Sequence, residues 1–411
     1  MEQKTKQILK VIIPQSFINY IRGIKRRINS GFSPVIKDVP SYIMLRCITD
    51  EKSDYVGGYY DVSPFSADGD KYLMLKLIGD NSADVILYSI SQQTSRVINR
   101  TNAVNRQQGA RLRWVYGSSE DYYFNDYIDD NYICVKANIN SVEKKIVGPA
   151  FYDISDLQNL GVSLNFSRLG ELRAGYGYRS KRYIKPHVEE LYNEGIDIYK
   201  LDTQEVFRPV TYKKLIALSG WNPLYIDRFY INHICLSPSG TRFTFFWIDA
   251  MESDSNLKAM LVVYDIRYGT MKLLEAQLRV SHYAWKNDNE ILVTVLDDRH
   301  QCSYVIYNVN TGEKKNILIE DLDVDGHPSW IDDRQFITDT YPDRQGYQTL
   351  YVVNSATGKK RVLVRMYHTC RCIGEKRCDM HPRVSIDKMQ ISFDGNIRGI
   401  RNVYLIQNKR V

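Results

Sequence analysis

A short phrase recurs along this chain, and its spacing constrains the fold more than any other feature of the sequence. Each copy runs from a strand start through an aromatic or apolar anchor to a polar turn and a second strand. Clear copies read VSPFSADGDKYLML from Val62, HICLSPSGTRFTFF from His233, HYAWKNDNEILVTV from His282, HPSWIDDRQFITD from His327 and HPRVSIDKMQISFD from His381. Looser ones begin at Arg111 (RLRWVYGSSEDYYF) and Phe151 (FYDISDLQNLGVSL). Between copies lie period-2 strands ending in Asn-Thr-Gly or Ala-Thr-Gly turns, as in YVIYNVNTGEKKNIL, where glycine supplies positive φ. Successive copies are mostly 40 to 54 residues apart, the length of one four-stranded blade. Seven copies therefore predict an all-β, seven-bladed β-propeller over residues 41–411, with almost no helix beyond residues 1–40. The wide gap from Phe151 to His233 predicts one blade plus an insertion at about 168–194. The chain ends on a third strand from Asn402, so the early strand near Tyr42 to Ile48 is free to complete the last blade. That would close the ring and leave no exposed edge.

The repeat register also selects candidate functional residues. Three positions before the anchors Phe65, Trp114, Ile154, Leu236, Trp285, Trp330 and Val384 stand Val62, Arg111, Phe151, His233, His282, His327 and His381. Four of the seven histidines of the chain thus share one repeat position in four consecutive blades. That position begins the innermost strand, so the four side chains are expected to converge at one mouth of the central channel. Grouped neutral imidazoles suit a divalent transition metal such as Mn, Fe, Ni or Zn. Asp379, two residues before His381, projects to the same side and offers a carboxylate ligand. A competing pattern, His368, Cys370, Cys372, Cys378 and His381, has residue types that hold structural zinc but lacks a paired CxxC knuckle.

The insertion crowds Arg168, Arg173, Tyr176, Tyr178, Arg179, Lys181 and Arg182 next to the blade carrying His233. Arginine forks grip carboxylates and tyrosine rings stack on sugar faces, so these residues, with Arg111 across the channel, are candidates for an acidic glycan. The 31 tyrosines against 13 phenylalanines fit both that reading and ordinary strand preference. A net charge of +7 accommodates an anionic partner without selecting one, and there is no nucleic-acid motif.

Residues 4–28 form a basic amphipathic stretch, with Ile8, Ile12, Phe17, Ile21 and Ile24 opposed to Lys6, Lys10, Arg22 and Lys25, interrupted at Pro14. It predicts a helix that rests on a membrane surface or packs on the propeller or another subunit. Seven scattered cysteines and the lack of an export signal predict a cytoplasmic protein, with peripheral contact at the inner membrane face.

The registered phrases resemble the oligogalacturonate lyases, seven-bladed propellers of the TolB/WD40-like superfamily that cleave acidic oligosaccharides by β-elimination with Mn(II). The resemblance covers roughly residue 42 to the end and is strongest in the last four blades. It implies that His233, in His-Ile-Cys-Leu-Ser-Pro, is the base, and that His282, in His-Tyr-Ala-Trp, binds the metal. The HPHPSF of the family becomes Asp379-Met-His-Pro-Arg-Val here, so His381 is retained as a ligand and Asp379 takes the place of the other histidine. The glutamine ligand of the family falls on Lys376, and His327 is the replacement. Phrases such as GYYDVSPFSADG and RLGELRAGYGY are also similar to proteins of bacterial surface-polysaccharide loci. The expected function is a metal-dependent, uronate-directed polysaccharide lyase, with His282, His327, Asp379 and His381 holding manganese, His233 as base and Arg168 clamping the substrate. Arg111, Arg173, Tyr176 and Tyr178 would line the sugar site. The alternative is a non-catalytic glycan-binding or scaffold propeller. A serine-peptidase propeller is excluded for want of a GxSxG elbow.

Overall fold

The computed structural model describes residues 35–179, 183–250, 257–369, 372 and 374–408. The amphipathic segment 4–28, Lys181, Arg182 and Cys370 lie outside the described residues.

Seven antiparallel sheets make seven blades. Blade 1 runs from Tyr55–Val56 to Thr94–Thr101, blade 2 from Arg113–Trp114 to Lys144–Pro149 and blade 3 from Asp153–Ser155 to Val206–Thr211. Blade 4 spans Phe229–Leu236 to Thr270–Glu275, and blade 5 Arg279–Trp285 to Lys314–Ile317. Blade 6 spans Ser329–Trp330 to Lys360–Tyr367, and blade 7 Arg383–Val384 to Ile400–Asn408. First strands of neighbouring blades touch, as Arg279–Trp285 does Ser329–Trp330, and they wall the central channel. Blades stack face to face, so a middle strand is covered on both sides and need not alternate. RFTFFWID at Arg242–Asp249 is buried along its whole length for this reason.

The anchor tryptophans have a mechanical role that the phrase only hinted at. The indole N–H of Trp114 donates to the carbonyl of Pro64 (2.9 Å), that of Trp285 to Cys235 (3.2 Å) and that of Trp330 to Ala284 (3.3 Å). Each reaches back to the inner strand of the preceding blade, so a single side chain both fills the core and ties two blades.

Ile43–Cys47 supplies the fourth strand of blade 7, with Ile43 opposite Asn408 and Cys47 opposite Tyr404. The ring is closed by joining the two ends of the chain, as the sequence predicts. Blade 6 carries an additional outer strand, Ile36–Lys37 on Lys360–Tyr367.

The insertion lies between the second and third strands of blade 3 and contains the helices Phe166–Leu172 and Val188–Leu191. A further helix, Tyr212–Ser219, follows blade 3, and helix otherwise stays scarce among the described residues, as expected. Its ends have local causes: Thr211 accepts the Lys214 amide at the start, and Gly220 takes φ 67° at the finish.

Candidate functional site

The four registered histidines meet at the channel. Ring centroids are 4.0 Å apart for His282 and His327, 4.4 Å for His327 and His381, and 6.3 Å for His233 and His282. His233, at an irregularity inside the strand Phe229–Leu236, and His381, two residues before the strand Arg383–Val384, both have left-handed backbone (φ 54° and 44°), which bends the chain at the channel wall. Between them sit Tyr59 and Tyr60, delivered by Gly57 and Gly58 from a loop of blade 1. Tyr59 lies 4.6 Å from the His381 ring and 5.5 Å from His233, and Tyr60 lies 5.2 Å from His327. A side chain at Gly57 would meet Arg383 and Asp394 at 2.7 Å, so only glycine lets the loop pass.

Two buried carboxylates orient the rings. Asp325 accepts from His282 Nδ1 (3.1 Å) and Thr294 Oγ1 (2.9 Å). Asp339 accepts from His327 Nδ1 (2.8 Å) and from the backbone amides of His327 (2.7 Å) and His381 (3.0 Å). With Nδ1 of His282 and His327 engaged, Nε2 is left as the coordinating nitrogen, the arrangement metal-binding histidines use. Ligand atoms of His327, Asp379 and His381 lie within 4.8 Å of one another, the one such group among the described residues. His327 Nε2 and both ring nitrogens of His381 are buried without a hydrogen-bond partner. Orphaned buried acceptors are costly, and a cation shared by them would remove that cost, so the residues fit a transition metal. His282 stands just outside this tightest group.

Asp379 is held by Arg377, whose Nε lies 2.8 and 2.9 Å from its two oxygens and Nη2 2.7 Å from Oδ2. Burial would raise the carboxyl pKa, but this guanidinium outweighs it and keeps the group ionised below its usual range. Burial, reinforced by the neighbouring cationic side chains, holds His233 and His381 well below the ordinary imidazole value. His327 moves the other way: burial opposes protonation, yet contact with Asp339 raises its pKa.

A cavity of about 430 Å³ opens beside this cluster, bordered by His233, His282, Arg173, Tyr176, Tyr341 and Arg377; His327, Asp379 and His381 lie behind that lining and do not border it. Tyr176 lies 5.6 Å from the His233 ring, and its hydroxyl is 3.4 Å from Arg377. Arg173 covers the Tyr176 ring at 5.4 Å.

Three expected site residues are placed elsewhere. Arg168 is buried, and its Nη2 donates to the carbonyls of Ile226 (3.2 Å), Asp227 (3.1 Å) and Phe229 (2.9 Å), which fixes the insertion against blade 4 and keeps the guanidinium away from the cavity. Arg111 is paired with Asp61 at 2.9 and 3.1 Å and bonded to the Tyr152 carbonyl at 2.6 Å, away from the cavity. Tyr178 is 1% exposed, stacked on Phe166 at 4.6 Å, with its hydroxyl accepting from Asn125. Their polar heads are engaged by carbonyls, a carboxylate and the Asn125 amide, which no sequence spacing reveals. Among the described residues, His368, Cys372 and Cys378 form no metal-holding group. Cys372 and Cys378 are free thiols, and their sulfurs contact carbonyls of Gly399 and Asp379. Sequence reasoning missed Tyr59, Tyr60, Asp325, Asp339 and Arg377. Asp325 was findable, because it precedes His327 by the same two residues that separate Asp379 from His381.

The fold and its centre define a closed seven-bladed propeller with a buried cluster of histidines and carboxylates at one channel mouth. The same fold is found in a structure of oligogalacturonate lyase in complex with manganese, with a TM-score of 0.65 at 14% identity, covering 91% of this chain and 96% of that one. An oligogalacturonate lyase from Vibrio parahaemolyticus gives a TM-score of 0.60 at 12% identity, covering 90% and 96%. At such identity the likeness is one of fold. The sequence matches no established family profile and no curated protein. No helix among the described residues is long and apolar enough to cross a membrane.

Proposed function

We propose that this propeller is a metal-dependent lyase that cleaves a uronate-containing oligosaccharide by β-elimination. The observation that carries the reading is the set of buried, unpartnered nitrogens of His327 and His381 beside the Asp379 carboxylate. His327, Asp379 and His381 would hold the metal, with His282 adjoining. When bound, a divalent ion, manganese by analogy with the similar lyase fold, supplies Lewis-acid stabilisation of a carboxylate whose neighbouring carbon is losing a proton.

His233 fits the base. It borders the cavity, its ring stands 6.3 Å from that of His282, and it is kept neutral by burial, so it is able to accept a proton near pH 7. It would take the proton from C5 of the uronate; that electron pair forms the C4–C5 double bond, the C4–O bond breaks, and the leaving oxygen is protonated from water. Arg173 replaces Arg168 as the carboxylate clamp, since it borders the cavity.

The test begins with element analysis of protein purified without added metal. Stoichiometric Mn, Fe, Ni or Zn, lost in His327→Ala and His381→Ala, together with an unsaturated product from uronate oligosaccharides that disappears in His233→Ala, supports the reading. Metal-free protein that binds such glycans without cleaving them would make it a binding module instead.

A further inference from the structure

Three residues that border the histidine cavity come from distant parts of the chain: Tyr176 from the insertion, Arg377 from the loop before blade 7 and His233 from blade 4. The turn Asn105-Arg106-Gln107-Gln108-Gly109, between blades 1 and 2, supports all three without bordering the cavity itself.

Asn105 and Gly109 close the turn with reciprocal amide-to-carbonyl bonds of 3.2 and 3.1 Å, and Gly109 takes φ 63°. Asn105 Oδ1 accepts the amides of Gln107 (3.2 Å) and Gln108 (2.7 Å), which fixes the turn from within. From this base Asn105 Nδ2 donates to the Tyr176 carbonyl (3.0 Å), and the Gln107 amide donates to the Gly175 carbonyl (3.1 Å). Gln107 Nε2 donates to the Arg377 carbonyl (3.0 Å), so one side chain joins the insertion to the loop that carries Asp379. Gln108 serves the third wall. Its Nε2 donates to the Tyr152 hydroxyl, whose oxygen accepts the backbone amide of His233 (3.0 Å) and donates to Asn232 Oδ1 (3.0 Å). Both glutamines are 2% exposed, and each leaves its Oε1 buried without a partner. An unmet buried oxygen is costly, so glutamine is a poor choice here for stability alone; the donor is what these positions retain.

We infer that Gln107 and Gln108 are positioning residues with separate duties. Gln107 holds Tyr176 and Arg377 at the spacing that admits the sugar. Gln108, through Tyr152, sets the backbone of His233 and with it the reach of the base. The inference rests on the lyase reading for the reaction, and it assigns different kinetic losses to two adjacent residues.

The experiment measures steady-state cleavage of a uronate oligosaccharide by wild type, Gln107→Met, Gln108→Met and Tyr152→Phe, with the urea midpoint of each. Methionine keeps the unbranched shape and removes the donor. Gln107→Met should raise KM about tenfold and leave kcat within about twofold, as loss of binding common to ground and transition states does. Gln108→Met and Tyr152→Phe should lower kcat about tenfold and leave KM within about twofold, because a displaced base is felt in the chemical step. Tyr152→Phe deletes a single oxygen, so it tests the second duty even where Gln108→Met does not fold. Gln107→Glu, which sets an acceptor against the Arg377 carbonyl, does the same for the first. Kinetics equal to wild type in all variants, or KM and kcat changing together in step with the urea midpoint, would overturn the two duties and leave the lyase reading standing. Wild type that cleaves no uronate oligosaccharide would overturn both.

Discussion

Replacing Glu275 by glutamine should loosen the junction of blades 4 and 5, by an amount the structure lets one work out. One carboxylate oxygen accepts the amides of Ala276 (2.9 Å), Gln277 (2.7 Å) and Leu278 (3.0 Å), and the other accepts the Tyr307 hydroxyl and the Lys314 ammonium, both at 2.7 Å. Burial by itself would raise the pKa of this 2% exposed group, but the Lys314 and Tyr307 contacts and the backbone amides outweigh it and bring the pKa from 4.5 to about 2. A depressed carboxyl pKa contributes stability that is present above the unfolded value and lost as pH falls toward the folded value. At about 1.4 kcal/mol per pKa unit this amounts to about 2–3.5 kcal/mol, the lower end allowing for solvent screening of the half-exposed Lys314. Glutamine keeps one acceptor but sets an amide N–H₂ against Lys314. Glu275→Gln should therefore unfold at lower urea concentration at pH 7, and the gap from wild type should shrink between about pH 4.5 and 2. Coincident midpoints at pH 7, or a gap that stays constant down to pH 2, would refute the reasoning.

Two other perturbations follow from contacts nearer the centre. Asp339→Asn presents an amide donor to N–H groups that now share a carboxylate, and should weaken metal retention about 10- to 100-fold in a chelator competition, as loss of a ring-orienting partner does. Unaltered retention would mean that Asp339 does not orient the ligands. Asp394 lies fully buried between Arg383 (2.7 Å) and Arg401 (2.6 Å), so Asp394→Ala leaves two guanidinium groups uncompensated. It should cost about 3–5 kcal/mol in chemical denaturation, and a loss below about 1 kcal/mol would count against this account.

The propeller was legible because its signal is repetition. A blade cannot bury both faces alone, so each copy carries the same anchor, turn and strand at the same offset, and misreading one copy is corrected by the others. The convergence of His233, His282, His327 and His381 was legible for the same reason. What failed were single residues whose fate depends on where a long side chain ends. Arg168 and Tyr178 lie in the same phrase as Arg173 and Tyr176, yet the former pair faces carbonyls and packed rings while the latter borders the cavity. Arg377 hid in a cysteine-rich stretch that drew attention to thiols. Tyr59 and Tyr60 stand just before a repeat start, and only the passage allowed by Gly57 and Gly58 carries them into the channel. The two-residue strand Ile36–Lys37 is too short to show periodicity.

The seam in blade 7 makes the chemistry of the centre hostage to the order of synthesis. His381 and Asp379 lead into a sheet whose outermost strand, Ile43–Cys47, is synthesised before blade 1 and whose partner, Ile400–Asn408, is synthesised after blade 6. Until then the early strand has no mate and the ring of imidazoles is incomplete, so a stalled or truncated product would present open blades but no assembled centre.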